Sequence, residues 1–200
     1  MEKNPEKVNS IIRAAKQRFA HYGFAKVTME EIASDVDLGK ASLYYYFPAK
    51  EDLFKDVIRS EQNEFVSEIR SLIGRKIKAS QKLKEYVDHR LDLFHKLLNL
   101  GTLIFHSPLL NNSMCRFLFT EFENTELLLL DEIINEGKKS GEFNKDFKGK
   151  ITKVFLHILQ GLRLRVLRDI NDNQIEKSAL MELRKEMDIA VEIFISSIKA

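Results

Sequence analysis

The sequence has one cysteine, Cys115, three prolines and eight glycines in 200 residues, and each scarcity excludes something. A lone cysteine cannot close an internal disulfide, so a disulfide-stapled scaffold is out. The shortage of Pro and Gly, with no Ser/Gly/Pro tract, excludes a low-complexity chain and leaves few places where a helix must stop. No apolar run approaches the roughly 18 residues of a membrane span. The opening Met-Glu-Lys-Asn-Pro-Glu-Lys lacks the apolar core of a signal peptide, so the expected location is the cytoplasm, with no membrane partner. The five histidines include no HxxxH or HExxH pair, so neither a metal site nor a cofactor is expected. There is no nucleophile elbow, no phosphate-cradling glycine loop and no carboxylate–histidine cluster, so an enzyme is not expected either.

What is present is a composition 44% hydrophobic and 31% charged, rich in Leu, Ile, Lys and Glu. Such a chain buries a core, keeps a solvated surface and favours helices throughout. The net charge is only +2, and residues 1–50 carry it, with 8 Lys/Arg against 6 Asp/Glu. A mildly basic end on a neutral body is compatible with nucleic acid without requiring it.

Helix signals begin at once. Asn4-Pro5-Glu6 reads as a cap, a proline at the first helical position and an acid in the first turn. Val8, Ile11, Ile12, Ala15 and Phe19 then form one apolar stripe up to Gly23, which predicts a helix over residues 5–22. Thr28-Met29-Glu30-Glu31 is a capping box opening a short helix to about Asp35. A turn, Val36-Asp37-Leu38-Gly39, leads into a second short helix, Lys40 to Tyr46, stopped by Pro48. A long helix over about 50–72 follows without internal Gly or Pro. Beyond residue 80, helices are predicted near 81–100, 102–107, 113–139, 147–171 and 175–199, with Gly101, Pro108, Asn111-Asn112 and the Lys138–Asn144 segment (with Gly137 and Gly141) as breaks. The Leu127–Leu130 run reads as core.

Two short helices joined by a tight turn are the unit that places a recognition helix in the major groove. Leu43 and Phe47, four apart, can anchor the second helix, leaving Lys40, Ala41, Ser42, Tyr44, Tyr45 and Tyr46 for groove and phosphates. Gly39 and Ala41 are small enough for close approach to DNA. Three successive tyrosines cannot share one helical face, and their hydroxyls suit phosphate oxygens. An ordinary helical hairpin with a tyrosine patch for a protein partner has the same spacing, so this alternative stays open at this point.

The stretch Gly23 to Phe54, GFAKVTMEEIASDVDLGKASLYYYFPAKEDLF, resembles the N-terminal signature of the TetR (tetracycline repressor) family of transcriptional regulators. The resemblance covers residues 5–60. It implies an all-α fold: a three-helix helix-turn-helix domain over 1–50, and a C-terminal bundle over 51–200 that binds ligand and dimerises, with the fourth helix shared. It implies phosphate contact by Thr28 at a helix start, base or backbone contact by Lys40, Ala41 and Ser42, base-edge or phosphate contact by Tyr44, phosphate contact by Tyr45, and backbone pairing by Lys50. Tyr46 stands where the family often has histidine, so its contact with DNA and its packing beside the first helix are equal readings.

The expected function is a repressor on a palindromic operator, released by a small apolar or aromatic effector; the alternative is a regulator governed by a protein partner or lacking an inducer. The partners are then double-stranded operator DNA, a second copy of the chain in a homodimer, and an unidentified small molecule. Phe105, His106, Met114, Phe117 and Phe122 combine aromatic rings with soft sulfur and are the candidate pocket lining, with plain core as the other reading. The last two helices are apolar beyond one stripe. Phe155, Gly161, Leu162, Val191, Phe194 and Ile198 are the candidate dimer contacts.

Overall fold

The computed structural model describes residues 3–106, 113–144, 151–168 and 177–200; the side chains of 97–106, 113–118, 167–168 and 177 are not among those described. The described residues form eight helices: α1 (Pro5–Tyr22), α2 (Met29–Asp35), α3 (Lys40–Tyr46), α4 (Lys50–Ile73), α5 (Ala79–His106), α6 (Ser113–Ser140), α7 (Ile151–Arg168) and α8 (Lys177–Ile198). The one β-type pairing among them is a bridge between Phe143 and Lys199. The fold is all-α, as the composition implied.

The chain divides into two compact units, Met1–Glu64 with Leu93–Leu118, and Phe65–Asp92 with Phe119–Ala200. In the first unit, the Asn4 side chain accepts from the amides of Glu6 and Lys7, and Pro5 takes the first turn. Ile11, Ala15 and Phe19 bury one face of α1. Gly23 ends the helix at φ 78°, the left-handed region that a side chain disfavours. Just beyond it, the Phe24 ring lies 5.5 Å from Phe19 and 4.8 Å from Phe54, a tilted cluster that locks α1 to α4. Leu53, Val57 and Ile58 complete the α4 contribution to this core.

In the second unit, Phe65, Ile69 and Leu72 of α4 are buried with Leu83, Tyr86 and Val87 of α5 and Leu129, Leu130 and Ile133 of α6. The Glu142 carboxylate caps α5, accepting from the amides of Ala79 (2.8 Å) and Ser80 (3.2 Å). Helices α7 and α8 pack on each other, with the Phe155 and Phe194 rings stacked 4.2 Å apart.

Three expectations need correction. Gly101 does not break α5, which is continuous to His106; a lone glycine costs a helix only about 1 kcal/mol, less than its neighbours restore. Gly137 is likewise inside α6, and the helix ends at Gly141, φ 80°. Gly137 serves close approach instead: a Cβ there would stand 2.1 Å from the Phe143 ring. The Leu127–Leu130 run is not all core, since Leu128 is 66% exposed. Four successive helical residues point in four directions, so one side chain must face out.

Candidate nucleic-acid interface

Helix α2 starts with the capping box that its sequence spells. The Thr28 hydroxyl accepts from the Glu31 amide (3.3 Å) and donates to the Glu31 carboxylate, which also accepts from the Thr28 amide (2.8 Å). These bonds hold the Glu31 carboxyl below its ordinary range. Glu31 therefore occupies the Thr28 donors that would meet a phosphate, and DNA contact at Thr28 requires it to swing away.

The turn between α2 and α3 takes its left-handed residue at Asp37, φ 51°. Gly39 is extended at φ −69°, and a Cβ there would meet nothing within 4 Å. Neither the turn nor the packing of the chain requires glycine at this position, which leaves room for something outside the chain. Helix α3 then divides cleanly. Leu43 and Phe47 are buried, while Lys40, Ala41, Ser42, Tyr44 and Tyr45 are exposed and Tyr46 is half-buried. The Tyr44 and Tyr45 side chains are 38% and 51% exposed. Tyr46 packs edge-on against Tyr45, ring centres 5.3 Å apart. The Lys40 ammonium pairs with Glu30 and sits 6.0 Å from the Tyr44 ring centre.

The frame behind α3 is tied by side chains bonding to backbone. Lys3 donates to the Tyr46 carbonyl (2.7 Å) and Lys7 to the Val36 carbonyl (2.7 Å), each at a helix C-terminus where carbonyls lack partners. Arg18 of α1 clasps Asp35 at the end of α2, with Nη2 2.8 Å from Oδ1 and Nε on the other oxygen. That guanidinium holds the Asp35 carboxyl low. Lys50, half-buried, donates to the carbonyls of Phe24 and Val27, both at 2.8 Å, and its ammonium lies 4.4 Å over the Phe24 ring. The resemblance implied phosphate pairing for Lys50; here its ammonium braces the α1–α2 loop. Sequence reasoning missed the roles of Lys3, Lys7 and Arg18, because nothing in residue type separates a bracing lysine from a solvated one.

The candidate pocket is only partly described. The side chains of Phe105, His106, Met114 and Phe117 lie outside the described residues. Phe122 is half-buried, with its ring 5.6 Å from that of Phe65. The candidate dimer contacts need correcting. Phe155, Val191, Phe194 and Ile198 are buried within their own unit and have no surface to offer a partner, and Leu162 is half-buried. Gly161 is exposed, with open space where a Cβ would stand. Among the described residues, the large apolar side chains left exposed on these helices are Val154, Ile158 and Leu164 of α7 and Met181, Ile189 and Ile193 of α8. The sequence showed apolar residues on more than one stripe of α7, but not which stripe the chain itself covers.

Residues 11–57 match the family model of bacterial regulatory proteins, tetR family, and residues 58–159 match that of the YsiA-like protein C-terminal region. A transcriptional regulator from Cytophaga hutchinsonii is similar in structure, with 39% identity, a TM-score of 0.89, and coverage of 97% of this chain and 99% of that one. The fatty acid degradation regulator FadR from Bacillus halodurans is 25% identical, with a TM-score of 0.69 over 98% of this chain and 97% of that one. The fatty acid metabolism regulator protein of Bacillus subtilis is 24% identical over 76% of this chain and 79% of its own length.

Proposed function

The chain belongs to the TetR family of bacterial regulatory proteins and is a DNA-binding transcriptional regulator, and we propose that it is a repressor released from a palindromic operator by a small apolar or aromatic ligand. Residues 1–50 are the DNA-binding part, with α4 shared, and residues 51–200 bind ligand and dimerise. The observation that carries this reading is α3, anchored by buried Leu43 and Phe47 while Ser42, Tyr44 and Tyr45 stand exposed beside a glycine that the chain itself does not need. Docked in a major groove, Ala41, Ser42 and Tyr44 face base edges, Tyr45 donates to a phosphate, and Lys40 leaves Glu30 for the backbone.

Two such heads are needed to read a palindrome, so the protein works as a homodimer in the cytoplasm. The exposed apolar stripes of α7 and α8 supply the isologous contact. Val154 and Ile158 repeat at one-turn spacing, as do Ile189 and Ile193, and all four are at least 46% exposed. Two relatives carry names that speak of fatty acid metabolism or degradation, which supports an aliphatic effector over an aromatic one. Linkage requires the effector to bind the DNA-incompetent state more tightly. A coupling of about 1–3 kcal/mol weakens operator binding roughly 5–150-fold and weakens effector binding equally when operator is present.

The test of the reading head uses two substitutions that spare the fold. Gly39→Thr keeps an N-cap residue as good as glycine, and Tyr45→Phe removes one exposed hydroxyl. Each is expected to leave the melting temperature within about 3 °C, because neither alters a buried group. Operator affinity is expected to fall about tenfold for Gly39→Thr, through a clash at the groove. Tyr45→Phe, without its phosphate hydrogen bond, is expected to bind about threefold to tenfold more weakly. Unchanged affinity in both variants would move the docking surface away from α3.

A further inference from the structure

The reading head carries its own anions. Glu30 and Glu31 both lie in the first turn of α2, and each holds a donor that the docked arrangement offers to DNA. Glu31 takes the Thr28 amide at 2.8 Å and the Thr28 hydroxyl at 2.9 Å, with Arg18 3.4 Å from its other oxygen. That acid has a structural duty, as the far half of the capping box. Glu30 has no part in the box. Its carboxylate pairs with the ammonium of Lys40, the first residue of α3. The Lys40 contact holds the Glu30 carboxyl below its ordinary range, and Glu30 in turn raises Lys40 above its own. Both groups are therefore charged at neutral pH.

A carboxylate and a phosphate compete for an ammonium through the same charge-assisted contact. The Glu30–Lys40 pair is exposed on both sides, so it is weak. A phosphate at contact distance displaces Glu30, and one held further off does not. Which of these Lys40 meets depends on α3. The N-terminal residues of a recognition helix reach the groove only when the helix is seated in it. Lys40 and Tyr44 share one face of α3, with the ammonium 6.0 Å from the Tyr44 ring centre. Setting Tyr44 against a base edge and drawing Lys40 off Glu30 are then one movement.

We propose that Glu30 is a specificity-determining residue that keeps Lys40 masked on DNA that α3 does not fit and yields it to a phosphate only on the operator. Non-specific binding is almost entirely electrostatic, so one cation withheld from each head weakens it selectively. Glu30 touches no base. It acts through Lys40, as an internal stand-in for the phosphate. This inference rests on the docking of α3 in the major groove.

The experiment compares Glu30→Gln, Lys40→Met and the double variant with the native protein, by fluorescence anisotropy over a series of salt concentrations. One probe is the duplex recovered by selection from a random pool, and the other is poly(dI-dC). On poly(dI-dC), Glu30→Gln is expected to bind about fivefold more tightly for each head at physiological salt. Its slope of log K against log salt should steepen by about 0.9 for each head, the signature of one more phosphate neutralised. On the selected duplex that slope should not change, because Lys40 already meets its phosphate there. Lys40→Met should do the reverse, flattening the slope by about 0.9 for each head on the selected duplex and leaving poly(dI-dC) as it was. In the Lys40→Met background, Glu30→Gln should steepen neither slope. An equal change of slope on both probes makes Glu30 merely an acid near DNA, and no change on poly(dI-dC) makes it part of the surface alone. A change that survives Lys40→Met acts through some other group. Each of these results overturns the proposal. Failure of the α3 docking itself looks different, and overturns both: Tyr45→Phe and Lys40→Met then bind the selected duplex as the native protein does, at every salt concentration.

Discussion

Glutamate at both Ile158 and Ile193 is expected to turn the protein into a monomer at micromolar concentration, read by light scattering. The two side chains are 46% and 65% exposed in the single chain, so each substitution leaves the protomer core intact and acts on whatever covers that face. In a two-fold dimer each glutamate appears twice near the axis, so the substitution buries like charges and removes apolar contact together. Operator affinity should fall with it. A dimer binds its second half-site at an effective concentration set by its own geometry, a gain of about 10²–10⁴ that a monomer forfeits. The control is Phe194→Glu, which places a charge against the stacked Phe155 ring inside the unit. That variant is expected to unfold, not to dissociate. A native-sized dimer in the double variant would remove the interface from this face.

Lys50 gives the second large effect, on stability. Its ammonium bonds two carbonyls of the loop that sets the start of α2, in a half-buried place beside Phe24. Lys50→Met keeps the stem and removes the charge. It is expected to destabilise the protein by about 1–3 kcal/mol, the range for charge-assisted bonds whose partners are left without donors. Operator affinity falls as well, since Thr28 and α2 lose their brace, but the slope of log K against log salt should not change. Direct pairing of Lys50 with a phosphate predicts the reverse: stability unaltered and a slope flatter by about 0.9 for each phosphate no longer neutralised. Denaturant unfolding and a salt titration of operator binding separate the two.

Much of the first unit was legible because its signals are local. The Asn4 cap, the Thr28–Glu31 box, Gly23 and Pro48 each mark a boundary within four residues of the group they satisfy, and helices α1 to α3 follow from them. The split of α3 into anchors and exposed residues was readable for the same reason, from the spacing of Leu43 and Phe47. What escaped depends on partners far along the chain. Lys50 reads as a solvent-facing cation until the carbonyls of Phe24 and Val27 arrive beneath it. Nothing in residue type marks Arg90 and Glu126 as buried, and only the packing of α5 on α6 removes them from water. On α7 and α8 the apolar pattern was visible, but two stripes compete for burial. The stripe with Phe155 and Leu159 on α7 meets the one with Phe194 and Ile198 on α8, which leaves Ile158 and Ile193 outside. Glycine misled at 101 and 137 because a helix tolerates it when packing supplies the difference.

Selection of duplexes from a random DNA pool by the ligand-free protein tests most directly whether two copies of α3 read a palindrome. The expected result is an enriched inverted repeat whose half-site centres lie one helical turn apart, about 34–36 Å, or a whole multiple of it. Bases at the half-site centres should change when the selection is repeated with Ser42→Ala or Tyr44→Ala, because these side chains face base edges. Phosphate-facing Tyr45→Phe should weaken binding and return the same sequence. A pool that remains random, or one whose enriched sequence lacks two-fold symmetry, would contradict the claim.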